Sequence, residues 1–431
     1  MFTNYKDSVE WIHSRLKFGI KPGLKRMEWM MERLENPEKK IPIIHIAGTN
    51  GKGSTVSYLQ NIFTEAGYKV GTFTSPYIEV FNERISVDGE PISDDEMVAL
   101  VNEIKPLSEQ LAETELNSPT EFEVITAMAF YYFGVVNPPD IIVLETGLGG
   151  KFDSTNIVEP ILSVITNVGF DHMAILGNTI EEIAGEKAGI IKENAPVITG
   201  VRNDKALAVI QRTAEEKNVP LFALDHDIKI NESSLKDNQE LFSVSTPFNK
   251  YTDVVLTMRG EHQLRNASLA VTAIDYLQSE NMFPLTEENM RTGLEKTSWK
   301  GRFETMSKDP LIIIDGAHNI EGVESLVDVV NRHYGDRKIH ILFSALADKD
   351  FKPMIERLSA IATSMAFTTF DFPRAASAVD LYDACPMEDK SKSYYESWEE
   401  ALEKFVQCDD DVYIVTGSLY FISGVREYLS R

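Results

Sequence analysis

Basic residues are scarce in this sequence of 431 residues, where 42 Lys and Arg stand against 67 Asp and Glu. The formal net charge is −25 with His neutral. Binding to nucleic acid or docking on anionic lipid requires a basic face, so this balance argues against both kinds of partner. We therefore expect no nucleic-acid and no membrane partner. Any anionic substrate must meet a locally positive site.

Cysteines and long apolar runs are scarce as well. The two cysteines, Cys385 and Cys408, are too few for a disulfide framework. No apolar run approaches the roughly 18 residues that a membrane span needs. The first residues, Met1–Asp7, lack the basic and then apolar pattern of a signal peptide. We expect a reduced, cytoplasmic protein.

What the sequence does contain is an ordinary globular composition, with 43% apolar and 25% charged residues. Strand-like runs alternate with helical patterns, which predicts an α/β protein with parallel sheets. The predicted strands are Ile41–Ala47, Tyr68–Thr74, Asp140–Glu145, Ile161–Thr166 and Ala195–Thr199, then Leu311–Ile314, Lys338–Phe343, Met365–Phe370 and Asp411–Val415. Residues 228–258 show shorter alternating segments, which predict a small β excursion.

The pattern predicts two domains. We expect an N-terminal domain over residues 1–296, a hinge over residues 297–302, and a C-terminal domain over residues 303–431. Polar, glycine-containing clusters follow the strands in both halves. Ligands of open α/β sheets bind beyond the carboxyl ends of the strands, so we expect one active site in a cleft between the domains.

A glycine-rich loop follows the first predicted strand and precedes a helical pattern from Val56 to about Glu65. Its residues are Gly48, Thr49, Asn50, Gly51, Lys52, Gly53 and Ser54. Such a loop turns several backbone N–H groups toward one anion, and the helix N-terminus adds about half a positive charge. Lys52 would then reach the terminal phosphates of a nucleotide, and Ser54 or Thr55 could approach Mg²⁺. The match is imperfect, since Ile46 occupies the first glycine position and Gly53 follows the lysine. A plain glycine-rich turn is the alternative.

Other positions allow two interpretations on the residues alone. Glu145 ends an apolar strand, where P-loop enzymes place an acidic Mg²⁺ ligand, but a surface glutamate fits there too. Thr120–Glu123 is a capping box that opens a helix to about Phe133, and Thr179–Glu182 is the capping box of a helix over Ile180–Ile191. Lys187, within that second helix, is by itself typical of a solvated lysine or of an ion-pair partner of Glu186.

The glycine loop resembles the phosphate loop of folylpolyglutamate synthases and dihydrofolate synthases, which belong to the Mur ligase superfamily. The resemblance runs from about residue 10 to the end and includes Thr74–Pro76, Leu144–Gly150, Asp171–His172, Glu186–Ile190, Gly301–Arg302 and Asp315–Asn319. It implies a P-loop ATPase-like parallel-sheet domain of the Mur-ligase type and a smaller, Rossmann-like C-terminal α/β domain. It also implies an ATP-dependent ligase that adds L-glutamate to tetrahydrofolate or to 7,8-dihydropteroate through an acyl phosphate. Family members are usually monomeric.

The resemblance also implies the site residues. ATP would be bound by the loop Gly48–Ser54 and by Asn266, Arg302, Asp315 and His318, with Lys52, Lys187 and His318 catalytic. Two Mg²⁺ sites would use Ser75, Glu145, His172 and Lys187, the last as a carbamate formed with CO₂. The pterin or folate would be bound by Thr120, Glu121, Phe122, Glu123, Lys151, Phe152 and Asp153. The family more often has Arg and Leu at positions 151 and 152, so Lys151 keeps the charge but loses the bidentate fork.

Other protein classes fit the sequence less well. A cell-wall Mur ligase carries a further domain before the phosphate loop, and only 47 residues precede Gly48 here. A dinucleotide-dependent dehydrogenase needs G-x-G-x-x-G, but Phe152 occupies the last glycine position after Gly147 and Gly149. Another amino-acid ligase of the superfamily and a non-enzymatic ATP-dependent switch remain alternatives. The sequence leaves open whether dihydrofolate synthesis accompanies polyglutamylation.

Overall fold

The computed structural model describes residues 1–19, 21–236, 239–406 and 411–430. Contacts divide the chain into two compact units. The first unit comprises Met1–Ser234, Leu241–Thr257 and Leu264–Thr297, and the second comprises Leu235–Glu240, Met258–Gln263 and Ser298–Arg431. These two units are compact regions of the chain, and their bounds do not identify a hinge. The predicted domain ranges and the predicted hinge therefore stay predictions. Cys385 is a buried free thiol, and Cys408 lies outside the described residues.

The first unit is built on a mainly parallel sheet. Its strands are β1 (Ile43–Ala47), β2 (Val70–Phe73), β3 (Ile85–Val87), β4 (Glu90–Pro91), β5 (Ile141–Glu145), β6 (Leu162–Ile165), β7 (Val197–Thr199) and β8 (Leu221–Ala223). Within the described ranges their order is β4-β3-β2-β5-β1-β6-β7-β8, and β3 and β4 pair antiparallel at one edge. The central strand β1 pairs in parallel with β5 and β6. Every residue of β1 and β5 is buried, as expected of parallel strands covered on both faces.

Helices pack against this sheet. The helices before residue 300 are α1 (Tyr5–His13), α2 (Lys25–Arg33), α3 (Lys52–Glu65), α4 (Asp94–Ala112), α5 (Glu121–Tyr131), α6 (Met173–Leu176), α7 (Ile180–Ala188), α8 (Asp204–Lys217), α9 (Glu261–Ser279) and α10 (Glu287–Lys296). One core lies between the sheet and helices such as α4 and α5, around Phe73, Phe130 and Leu144. Another contains Ile165 and Ile210.

The predicted β excursion is confirmed. Strands β9 (Lys229–Lys236), β10 (Gln239–Ser245) and β11 (Lys250–Leu256) form a separate sheet in the order β11-β10-β9.

The second unit contains its own sheet. Its strands are β12 (Glu304–Lys308), β13 (Leu311–Asp315), β14 (Ile339–Phe343), β15 (Ser364–Thr368), β16 (Lys392–Tyr395) and β17 (Val412–Thr416), and its helices are α11 (Ile320–Tyr334), α12 (Phe351–Ser359), α13 (Ala378–Ala384), α14 (Trp398–Phe405) and α15 (Leu419–Leu429). In the part of the chain that is described, the strand order is β12-β13-β17-β14-β15-β16, with only β12 antiparallel to its neighbour. Apolar cores lie on both faces, one around Ile341 and Leu358 and one around Leu342 and Phe421.

Each of the nine predicted strands corresponds to a strand of the structure, and no predicted end differs from the observed end by more than two residues. Three helix bounds are corrected. Helix α3 begins at Lys52 rather than Val56, because Gly51 adopts φ 85° and turns the chain directly into the helix. Helix α5 ends at Tyr131 and continues as a π-helical turn over Tyr132–Val136, and α7 ends at Ala188 rather than Ile191. No helix in the described ranges is long and apolar enough to cross a membrane.

Candidate active site

The glycine loop joins the central strand β1 to helix α3. Its turn depends on Gly51, whose left-handed conformation precedes the first helical residue, Lys52. Thr55 closes the first turn, since both its N–H and its hydroxyl donate to the Gly51 carbonyl, at 3.0 and 2.9 Å. The opening N–H groups of a helix have no carbonyl partner within it, so this end of α3 favours an anion.

The segment after β6 braces the loop. Asn167 Oδ1 accepts a hydrogen bond from Asn50 N at 2.7 Å, and the Thr166 hydroxyl donates to Asn50 O at 2.6 Å. A Cβ atom at Gly48 would clash with the Thr166 hydroxyl, so the close approach requires glycine there. Thr166 and Asn167 were missed as site residues. The polar cluster after the strand was the only sequence signal for them.

Lys52, Glu145 and Ser75 meet beside the loop. Lys52 Nζ lies 3.0 Å from Gly48 O, to which it donates, and 3.7 Å from Glu145 Oε1. Glu145 Oε2 accepts from Ser75 N at 3.3 Å, and the glutamate side chain is only 5% exposed. A nearly buried carboxylate beside a phosphate-binding ammonium can hold a divalent cation next to bound phosphates. These residues therefore fit a Mg²⁺–nucleotide.

The two other predicted metal residues lie on α6 and α7. His172 is the N-cap of α6 with φ 50°, and its side chain is 48% exposed. Lys187 is buried on α7, with 2% exposure. Among the described residues, no three or more His, Cys, Asp and Glu side chains are grouped so that they could hold a metal ion. The predicted ligands include a serine and a carbamylated lysine, which are of other residue types, so these metal ligands stay a prediction.

The first predicted folate segment is the N-terminus of α5. Its capping box is confirmed, because Thr120 Oγ1 accepts from Glu123 N at 3.2 Å and Glu123 Oε2 accepts from Thr120 N at 2.8 Å. The partly buried Phe122 ring packs against Phe73 at a centroid distance of 5.8 Å. A Cβ at Gly147 would clash with the same ring. This segment therefore lies against the loop that begins at Glu145.

The second predicted folate segment, 151–153, contains one residue that orders its own loop. Asp153 is buried and accepts from Leu148 N at 2.8 Å and from the Thr155 hydroxyl at 2.5 Å. Desolvation by burial raises the pKa of Asp153 above its ordinary value. Phe152 is 46% exposed, with Lys151 Nζ 5.1 Å from its ring centroid, so these two side chains are available to a ligand.

Asn266 lies on α9, in the first unit, against the phosphate loop. A Cβ atom at Gly51 would lie 2.5 Å from Asn266 Oδ1. The predicted nucleotide contact and the glycine loop are therefore neighbours, and glycine at position 51 is required both by its φ and by this side chain.

The second unit gathers the remaining nucleotide candidates at the end of β13. Asp315 accepts from Phe303 N at 2.8 Å and from Ala317 N at 2.9 Å. Desolvation raises the pKa of Asp315, and the neighbouring Arg302 opposes this shift. His318 Nδ1 lies 2.8 Å from Gly316 O, and a Cβ at Gly316 would lie 2.9 Å from Arg302 NH1. Arg302, Asp315 and His318 thus form one cluster.

Known families match this chain over most of its length. Residues 46–274 match the family model described as "Mur ligase middle domain", and residues 301–419 match "Mur ligase, glutamate ligase domain". The dihydrofolate synthase/folylpolyglutamate synthase of Bacillus subtilis (strain 168) is 51% identical over 434 residues, which cover 100% of both chains. The chain belongs to the folylpolyglutamate synthase/dihydrofolate synthase family of Mur ligases.

Solved structures agree. The folylpolyglutamate synthase of Mycobacterium tuberculosis, complexed with ADP and AMPPCP, has a TM-score of 0.91 at 29% identity and covers 99% of both chains. A folylpolyglutamate synthase–AMPPCP–folate complex has a TM-score of 0.85 at 34% identity and covers 99% of this chain and 100% of that one. The Lacticaseibacillus casei folylpolyglutamate synthase is 35% identical over 428 residues, 99% of each chain. The predicted family and fold class are confirmed.

In the first unit of this Mur ligase, predicted nucleotide, metal and folate residues lie close to one another. The phosphate loop contacts Glu145 through Lys52 and lies against Asn266, and the loop after Glu145 lies against Phe122. Nucleotide and folate candidates therefore share one strand end, that of β5. The individual roles of the site residues stay predictions.

Proposed function

We propose that this chain joins L-glutamate to the terminal carboxylate of tetrahydrofolate, and also to that of 7,8-dihydropteroate, at the expense of ATP. The observation that carries the proposal is the shared end of β5. Glu145 lies 3.7 Å from the phosphate-loop lysine, and Phe122, in the folate segment, lies over Gly147 two residues further on. A γ-phosphate and a folate carboxylate bound there would be neighbours. The names of the Bacillus subtilis and Lacticaseibacillus casei relatives support this substrate class.

The reaction has two steps. A carboxylate oxygen of the acceptor attacks the γ-phosphorus of ATP, the bond to the β-phosphate oxygen breaks, and ADP leaves. The amino group of glutamate then attacks the acyl carbon, inorganic phosphate leaves with the electron pair of the broken C–O bond, and the amine loses a proton. The products are the amide, ADP and phosphate.

The chain's own residues act on the charge of the transferring group. Lys52 and the N–H groups at the start of α3 stabilise negative charge on the phosphoryl oxygens, and Arg302 is assigned to phosphate contact. Asn266 is assigned to adenine, and His318, beside Arg302, to the reacting groups. Mg²⁺, held by Ser75, Glu145, His172 and the carbamate of Lys187, would supply neutralisation of phosphate charge.

Within the segment 151–153, we assign folate contacts by the exposure of the side chains. Phe152 and Lys151 are accessible, whereas the oxygens of Asp153 are used by Leu148 and Thr155. We therefore assign Phe152 and Lys151 to direct contact and Asp153 to the shape of the loop. The enzyme is expected to act as a monomer in the cytoplasm, which sedimentation of the purified protein and fractionation of cells would check.

The test measures ADP release with ATP, Mg²⁺ and L-glutamate, comparing 7,8-dihydropteroate with tetrahydrofolate as acceptor. Omission of glutamate is the control for ATP hydrolysis without ligation. Turnover with both acceptors is expected. Turnover with tetrahydrofolate alone would restrict the enzyme to polyglutamylation and remove the dihydropteroate assignment. No turnover with either acceptor, in a protein that still binds ATP, would favour the non-enzymatic switch or another ligase of the superfamily.

A further inference from the structure

The capping-box glutamate of α5 is buried, which is unusual for a residue at that position. Glu123 has a side-chain exposure of only 2%. A carboxylate that is removed from water needs a charged partner with good geometry. Arg26, the second residue of α2, supplies one: its Nε lies 2.8 Å from Glu123 Oε1 and 3.0 Å from Oε2. The arginine side chain is itself only 12% exposed.

Arg26 also holds a second segment. Its NH2 donates to the backbone carbonyl of Lys21 at 2.7 Å. Lys21 Nζ in turn donates to Ser118 O at 3.1 Å, two residues before the cap of α5. Lys21 thus joins the chain before α2 to the chain before α5, and Arg26 joins Lys21 to the first turn of α5.

A cavity of about 570 Å³ lies between these two segments. Phe18, Lys21 and Arg26 line one wall, and Leu116 and Ser118 line the other. Arg26 therefore contacts both the Lys21 segment, which lines the cavity, and the first turn of α5. The start of α5 carries Phe122, which the proposed function assigns to the folate acceptor.

We propose that Arg26 is a positioning residue for the folate acceptor. It holds the carboxylate of Glu123, which holds the N–H of Thr120, so that the first turn of α5 presents Phe122 over Gly147. The inference rests on the proposed function, because it concerns the acceptor of that reaction. The guanidinium is needed because its Nε contacts both carboxylate oxygens while its NH2 contacts the Lys21 carbonyl, and a single ammonium nitrogen does not offer two such separate donors.

Loss of the Arg26 guanidinium should affect binding of the folate acceptor and not binding of ATP. Without Arg26 the carboxylate of Glu123 is buried beside no guanidinium, and it must turn toward water and release Thr120. The phosphate loop makes its own contacts with Thr166 and Asn167, so ATP binding should not change. The acceptor KM should therefore rise while the ATP KM stays constant, a separation that general destabilisation does not produce.

The experiment compares Arg26→Lys and Arg26→Met with the unmodified chain. KM for tetrahydrofolate, KM for ATP, kcat and the melting temperature are measured for each protein. We expect the tetrahydrofolate KM to rise about threefold in Arg26→Lys and at least about tenfold in Arg26→Met, with the ATP KM within about twofold. If Arg26→Met does not fold, Arg26→Lys carries the test, because it retains the charge.

Leu294→Ala is the matched control. Leu294 is fully buried on α10, a helix that packs on the far part of α3, so its truncation lowers stability without touching α5. Its KM for tetrahydrofolate should not change. An unchanged acceptor KM in both Arg26 variants, or an equal rise in both KM values, would overturn the inference while the proposed function stands. An unmodified enzyme that is inactive with tetrahydrofolate would overturn both.

Discussion

At the scale of single residues, the proposed phosphate chemistry depends most on the side chain of Lys52. It reaches across its own loop to Gly48 O and lies beside the buried carboxylate of Glu145. A positive charge placed before substrate arrives stabilises the transferring phosphoryl group without reorganisation. We expect Lys52→Ala to lower the rate of ADP release by at least about 10²–10³, with far-ultraviolet circular dichroism unchanged.

The control for this substitution is Lys205→Ala. Lys205 has a side-chain exposure of 74% and an ion pair at 3.6 Å with Glu181, so its removal should alter neither rate nor fold. Normal ligase turnover in Lys52→Ala would contradict the assignment of the glycine loop to phosphate binding.

A second residue, His45, links stability to pH. It is buried on β1, and desolvation lowers its pKa from 6.5 to about 3. His45 Nε2 lies 2.8 Å from Thr155 Oγ1, whose hydroxyl donates to Asp153 Oδ1. Because that hydroxyl proton is already used, Nε2 is the donor, and the imidazole is neutral with its proton on Nε2.

The sign of the pH effect follows from the direction of the shift. Below pH 6.5 the unfolded chain binds a proton at His45 that the folded chain does not bind. The contribution of the neutral His45 to the free energy of unfolding is therefore largest above pH 6.5 and is lost as the pH falls toward 3. The free energy of unfolding of the unmodified protein should fall between about pH 6.5 and 5. In His45→Gln we expect this fall to be smaller, by up to about 2 kcal/mol. Urea unfolding of both proteins at the two pH values measures this difference. Asp153, whose pKa is raised, acts in the opposite direction, but it is present in both proteins.

At the scale of elements, the central strands were predictable because they are buried on both faces and read as continuous apolar runs. The strands that were not predicted are short or lie at sheet edges. β4 is two exposed residues, and β12 pairs antiparallel at an edge with an irregular register. Their sequences carry little apolar pattern, and only the presence of a neighbouring strand makes them strands.

The contacts of the candidate site also fall into a predictable and an unpredictable group. Contacts within a few residues, such as the capping boxes at Thr120 and Thr179, were predicted from spacing alone and are confirmed. Contacts that join distant segments were not predicted, because no local pattern specifies them. Arg26 and Glu123 are 97 residues apart, and Asn167 and Asn50 are 117 apart. Family resemblance supplied the metal and folate residues, whose roles stay predictions.

The brace between two loops gives a prediction at this scale. Asn167 holds the backbone of the phosphate loop through Asn50 N at 2.7 Å. Removing one such hydrogen bond costs about 0.5–1.5 kcal/mol, which corresponds to about a 2–10-fold change in an equilibrium constant. We expect Asn167→Ala to raise the ATP KM by that factor and to leave the tetrahydrofolate KM unchanged.

Asn203→Ala is the control for Asn167. Asn203 caps α8 and accepts from Lys205 N at 3.0 Å, so its loss weakens a helix far along the chain from the phosphate loop. If Asn203→Ala raised the ATP KM as much as Asn167→Ala, the effect would come from general destabilisation and not from the brace.

At the scale of the whole molecule, the formal charge of −25 opposes the anionic substrates and the folded state alike. In the proposed function, the phosphate loop and the start of α3 provide the local positive potential that ATP needs, whereas the rest of the surface has an excess of carboxylates. Exposed ion pairs such as Lys6–Glu10, at 4.0 Å, each contribute little and cannot offset that excess.

Salt should therefore stabilise this protein. Raising NaCl from about 10 to 150 mM shortens the Debye length from about 30 to 8 Å and screens the repulsion between carboxylates. We expect the melting temperature at pH 7.5, without nucleotide, to rise by about 2 °C or more. The same titration near the sequence pI of 4.8 is the internal control, because the net charge is then close to zero and the rise should disappear. A melting temperature at pH 7.5 that is flat or falls with salt would mean that attractive pairs, and not the carboxylate excess, dominate the electrostatics of the fold.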